Sequence, residues 1–117
     1  MNINQVLEET PSLKARVTQE AEELRLYWQR DKDVYANIEA KKVMILKAEN
    51  TNIKTTEIKY HINEDEALYQ ARLDLVVMES KYRKKEKEVE ALDDTFTSAK
   101  MLARLKISEL GSIEFNK

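Results

Sequence analysis

Between Lys41 and Lys47 the sequence holds three lysines and no acid. Ammonium groups at that density, with no carboxylate among them, suit a nucleic-acid phosphate backbone, and such contacts weaken steeply with salt because each releases condensed counterions. Two further basic groups, Lys81, Arg83, Lys84, Lys85 and Lys87, then Lys100, Arg104 and Lys106, occur among acids such as Glu86 and Glu88. Opposite charges three and four residues apart read first as a salt-bridged, solvated helix exterior. Lys41, Lys42 and Lys47 are therefore the candidate phosphate-binding residues. Tyr27, Trp28 and Tyr35 can supply stacking platforms for single-stranded bases, although rings at helical spacing on an apolar stripe also serve as core.

Little else in the chain can do chemistry. There is no Gly-rich phosphate loop, no Ser or Cys nucleophile paired with a histidine, and no acidic cluster on a loop, so neither an enzyme nor a cofactor is expected. Cysteine is absent, which removes disulfides and thiolate metal sites. His61 is the only histidine, and a His-based metal site would need several subunits; none is expected. Net charge is −2, so nucleic-acid binding must come from a local basic face, multiplied by oligomerisation. No apolar run approaches the roughly 20 residues of a membrane span. Met1 to Glu9 also lacks a basic stretch followed by an apolar one, so the expected location is cytoplasmic, away from membranes.

The elements that must carry these residues are helices. The composition is 42% hydrophobic and 36% charged with one Gly and one Pro, a balance typical of helical, coiled-coil-like chains. Leu68, Leu75, Tyr82, Val89, Phe96, Ala103 and Leu110 recur every seven residues, with Ala71, Met78, Leu92 and Ala99 at the companion positions. That seam lasts about six heptads. No Gly or Pro falls between Glu64 and Leu110, so the spacing predicts one helix over 64–110, about 70 Å long at 1.5 Å per residue. A globule of this size is only about 30 Å across, which points to an extended, oligomeric protein. Val89, Leu92, Phe96, Ala103 and Leu110 are the candidate oligomerisation residues. Lys85 and Lys106 fall on the seam, where polar residues commonly fix register or oligomer state.

Upstream, Thr10 is a good N-cap and Pro11 suits the first helical position, so residues 1–10 read as a leader and 11–49 as a long helix. Its stripe is Val17, Ala21, Leu24, Trp28, Tyr35, Ile38 and Ile45, broken at Asp31 and widened by Tyr27 and Val34. The polar run from Asn50 to Thr56 opens a connection over 50–63, with a short helix through Glu57 to Ile62. Asn63 offers the next N-cap, with Glu66 three residues later. Gly111 ends the second long helix and leaves 111–117 as a tail. The expected fold is all-α: one domain over 1–117, with two long helices in an antiparallel hairpin carrying coiled-coil heptads.

The run Ile38-Glu39-Ala40-Lys41-Lys42-Val43-Met44-Ile45-Leu46-Lys47-Ala48, closing a long helix that carries Trp28, resembles the corresponding helix of the UvsY family, the recombination mediators of T-even-type phages. Thr56-Glu57-Ile58-Lys59, followed by Ile62 and Asp65, is similar to that family's entry into its second long helix. Order and spacing agree over about residues 15–110. The resemblance implies a non-enzymatic protein that binds single-stranded DNA and assembles into a ring-like oligomer through its C-terminal region. It also implies that the protein helps a RecA-like recombinase replace the single-strand-binding protein. By position Lys47 matches a basic residue linked to DNA binding in that family. A second basic residue of the family pattern, two positions on, is Glu49 here, and Lys41 or Lys42 is the candidate to take its place. Two other readings stand beside this one: a structural or adaptor coiled coil that recruits a protein partner along the seam, and a helical-hairpin chaperone that grips clients through its apolar stripe.

Overall fold

The first helix starts well before the proline. Asn2 Oδ1 accepts the backbone N–H of Gln5 at 2.9 Å, and Gln5 Oε1 accepts the N–H of Asn2 at 3.2 Å, a reciprocal capping box. The computed structural model describes residues 2–115, with side chains up to Leu110. Among the described residues it contains three helices and no strand: α1 Ile3–Glu49, α2 Thr55–Glu64 and α3 Glu66–Phe115. The protein is all-α.

The helix ends differ from those the sequence suggests, and caps explain the differences. Residues 3–10, expected as leader, belong to α1, and Pro11 lies inside it. A proline there withholds the N–H that would bond to the Leu7 carbonyl, while the Asn2–Gln5 box caps the turns that precede it. Thr10, expected to cap, is instead buried at 5% exposure. After α1 the chain turns at Asn50, whose Oδ1 accepts the N–H of Asn52 at 3.0 Å and whose carbonyl accepts that of Ile53 at 3.2 Å. The short helix then spans ten residues, longer than 57–62, and takes in Asn63. Asp65 is the N-cap of α3: it is extended at φ −73°, ψ 122°, and its Oδ1 accepts the N–H of Leu68 at 3.0 Å. Asn63 is taken up by α2, so the role falls to Asp65, the residue between the two helices. Gly111 does not end α3; a glycine costs a helix interior only about 1 kcal/mol. Asn116 and Lys117 of the expected tail lie outside the described residues.

The chain forms two compact units, one made of α1 through Glu22 with α3 from Arg83 onward, the other of Glu23–Tyr82. In the first, Thr10, Val17 and Ala21 of α1 and Ala99 of α3 are buried. Lys14 pairs with Asp93, and Lys85 Nζ donates to Glu20 Oε2 at 2.8 Å and Glu88 Oε2 at 3.2 Å. In the second unit Leu68 is fully buried at 0% exposure, with Leu46 and Ala71 also buried, and Trp28 stacks on Tyr82 with ring centres 5.6 Å apart. Leu46 takes the place expected of Ile45, which is 54% exposed. Near the end of α1 the covered row takes two successive steps of four, Ile38, Lys42 and Leu46. That local eleven-residue phasing moves the stripe by one position relative to a strict heptad.

Candidate nucleic-acid interface

The three candidate cations sit on the last turns of α1 and do not share one environment. At 100° per residue Lys41 and Lys47 lie about 120° apart around the helix and about 9 Å apart along it, with Met44 between them in angle. Lys41, Met44 and Lys47 are all exposed, Met44 at 70%. Lys42 points elsewhere, into the covered row, where its Nζ stands 3.4 Å from Asp65 Oδ2. Asp65 is thus held from two sides. The Leu68 N–H and then the Lys42 ammonium, with a further N–H from Ala67, keep its carboxyl below the usual carboxylate range.

The aromatic candidates divide in the same way. Trp28 and Tyr82 cover each other, and the Lys32 ammonium lies 3.6 Å from the Trp28 ring centre, a close cation–π contact. Tyr35 is half-buried, and burial together with its hydrogen bond to Glu39 pushes its hydroxyl pKa up, against the opposing influence of Arg72. Tyr27 is 47% exposed, with the Arg30 guanidinium 5.1 Å from its ring centre. Of the three rings, Tyr27 is the most open to an incoming base. On α2, Tyr60 is exposed beside His61, and its bond to Glu64 raises the hydroxyl pKa.

Two basic residues of α3, Arg83 and Lys85, are engaged with acidic neighbours. Arg83 pairs with Glu86 at 2.9 Å. Lys85, one of the two lysines on the seam, is half-buried between Glu20 and Glu88. Their hydrogen bonds raise the Lys85 pKa, and the Lys85 bond in turn lowers that of Glu20. Lys100 lies 5.0 Å from the Phe96 ring centre.

The candidate oligomerisation residues also separate. Val89, Leu92, Phe96 and Ala103 are half-buried within the chain's own first unit, whereas Leu110 is 57% exposed. Around Leu110 the structure leaves bare a set that the seven-residue spacing does not select: Met101, Leu102, Leu105 and Ile107, at 58, 52, 59 and 69% exposure. A groove of about 600 Å³ beside them is lined by Ile3, Ala103, Ile107 and Leu110 with the polar Asn2, Asn4 and Lys106. The signal in the sequence was apolar density over 101–110 without a single preferred face. Asp65 was missed as a partner of Lys42 because pairing across a turn leaves no trace in linear spacing. No described helix is long and apolar enough to cross a membrane.

Comparison with known proteins finds no family model, no curated protein and no solved structure that matches this chain.

Proposed function

We propose that this chain is a non-enzymatic recombination mediator. In this reading it binds single-stranded DNA as an oligomer and helps a RecA-like recombinase load in place of single-strand-binding protein, in the cytoplasm of the host cell if phage-encoded. The observation that carries the reading is the acid-free lysine window at the end of α1, with Lys41 and Lys47 both exposed in a stretch that resembles the UvsY family. Within the first unit the pairs Lys14–Asp93 and Glu20–Lys85 run in opposite chain directions, and within the second so do Trp28–Tyr82 and Lys42–Asp65. Both support an antiparallel hairpin of α1 and α3. Gathered by their C-terminal apolar faces, several such chains would offer repeated weak phosphate sites that act together through effective concentration.

The test is fluorescence anisotropy of a labelled single-stranded oligonucleotide at low and moderate salt, beside a duplex control. The expected result is a single-strand preference that weakens steeply with salt. Lys47→Ala should lower the affinity and flatten the salt dependence by about 0.7 in log–log slope for each phosphate no longer neutralised, at unchanged oligomer mass. Absence of binding at low salt would sink the reading. It would leave the adaptor coiled coil, which the exposed Met101, Leu102, Leu105, Ile107 and Leu110 also favour.

A further inference from the structure

Lys42 and Asp65 bring a strand-binding candidate and a helix cap together. Asp65 is the single residue between α2 and α3, and its position is fixed by the fold: Oδ1 accepts the Leu68 N–H at 3.0 Å while Oδ2 faces Lys42 Nζ at 3.4 Å. The pair is partly sheltered, with side-chain exposures of 32% for Lys42 and 21% for Asp65. A carboxylate so placed has two effects on a phosphate approaching the end of α1. It occupies the ammonium that the phosphate would otherwise engage, and it adds a like charge close to the strand's path. A tethered carboxylate also competes at an effective concentration that a free strand does not match.

We propose that Asp65 is the affinity-setting residue of the strand-binding face: by holding Lys42 it leaves Lys41 and Lys47 to carry the phosphate contacts. This rests on the reading of the chain as a single-strand binder. It assigns the three lysines different roles, although they are close in sequence and alike in chemistry. Lys42 ties the end of α1 to the start of α3, and it reaches the strand only when the Asp65 charge is removed.

Asp65→Asn separates the two functions of Asp65, because asparagine is as good an N-cap as aspartate and carries no charge. In the full-length protein, Asp65→Asn should bind the labelled oligonucleotide roughly two- to fivefold more tightly, the worth of one exposed ion pair. The salt slope should steepen by about 0.7 for each subunit engaged. Asp65→Ser, a second neutral cap, should behave alike, and circular dichroism of both variants checks that the helices persist. Lys42→Ala should weaken wild-type binding less than Lys41→Ala or Lys47→Ala, through the uncovered Asp65 charge alone, and abolish the gain in the Asp65→Asn background. If the wild-type chain binds but Lys42→Ala weakens it as much as Lys41→Ala or Lys47→Ala, or if the neutral caps leave affinity and slope unchanged, the role assigned to Asp65 is overturned. A wild-type chain that shows no salt-sensitive binding overturns the single-strand reading itself, and this inference with it.

Discussion

Replacing Leu105 with glutamate tests whether the C-terminal end of α3 holds chains together. Fully burying a Leu, Ile or Met side chain is worth about 1.5–3 kcal/mol. Met101, Leu102, Leu105, Ile107 and Leu110 keep between 52 and 69% of their surface exposed, so each has roughly 1–2 kcal/mol left to gain, and the three that lie within about 100° of one another around the helix, Met101, Leu102 and Leu105, together about 3–6 kcal/mol per chain. That range is comparable to the lower part of the cost of association, about 4–15 kcal/mol, so an assembly joined through this end of α3 would balance on a few residues. Losing one of them raises the dissociation constant roughly 5- to 30-fold at about 1.4 kcal/mol per decade, and a glutamate adds the cost of desolvating a charge. Leu105→Glu is therefore expected to shift the assembly midpoint at least tenfold in sedimentation velocity, with helicity retained. Val76→Glu, the same change at a residue 63% exposed in the other unit, should leave the mass unaltered. If Leu105→Glu sediments like the wild type across a concentration series, or if Val76→Glu dissociates the protein instead, the C-terminal face is not what joins the chains.

Three further perturbations probe the single chain. Leu68→Ala empties the one described position at 0% exposure and should cost about 2–5 kcal/mol in urea unfolding; Leu73→Ala, at 41% exposure, should cost under about 1 kcal/mol, and equal effects would contradict the packing described. Pro11→Ala should stabilise the protein by about 1–3 kcal/mol, because proline lies inside α1 rather than at its first turn; a change of only a few tenths would mean that the helix starts at Pro11 after all. Asp65 and Glu20 have folded-state pKa values below their ordinary 3.8 and 4.5, so their contribution is present above those values and is lost as pH falls through the lowered ones. Lys85, raised above 10.5, contributes below that value and loses its contribution as pH rises through the folded one. Melting temperatures should fall on both sides of a neutral plateau, and a Glu20→Gln variant whose acid limb matches the wild type would remove Glu20 as its cause.

The helical character of α3 was legible because side chains at alternating steps of three and four fall on one face of a helix and no Gly or Pro interrupts them before Gly111. Leu68, Ala71 and Ala99 are buried, and the positions between them, including Lys85, are half-buried. The ends of the helices were not legible in the same way. Thr10-Pro11 and Asn2-Gln5 are both acceptable starts, and the choice between them turns on two reciprocal hydrogen bonds rather than on the stronger single-residue preference. Asn63 and Asp65 posed the same problem: α2 runs on through Asn63, and Asp65 between the two helices caps α3. Ile45 failed for a different reason: a strict heptad was carried past Ile38, where the covered row changes its step.

The candidate site shows where a one-dimensional reading stops. Lys41, Lys42 and Lys47 look equivalent in sequence because charge and proximity are all that a linear window reports. Their environments differ because a helix turns by 100° per residue, which is enough to carry Lys42 from the face shared by Lys41 and Met44 into the row that ends at Leu46. Once there, Lys42 meets the acid that caps α3, so the geometry that builds the helix junction also separates Lys42 from the exposed Lys41 and Lys47. A substitution that keeps the cap's hydrogen bonding without its charge is therefore expected to act at the proposed binding face while touching neither exposed lysine. For that reason charge-removing changes at Asp65 are more informative about this surface than further truncation of the lysines themselves.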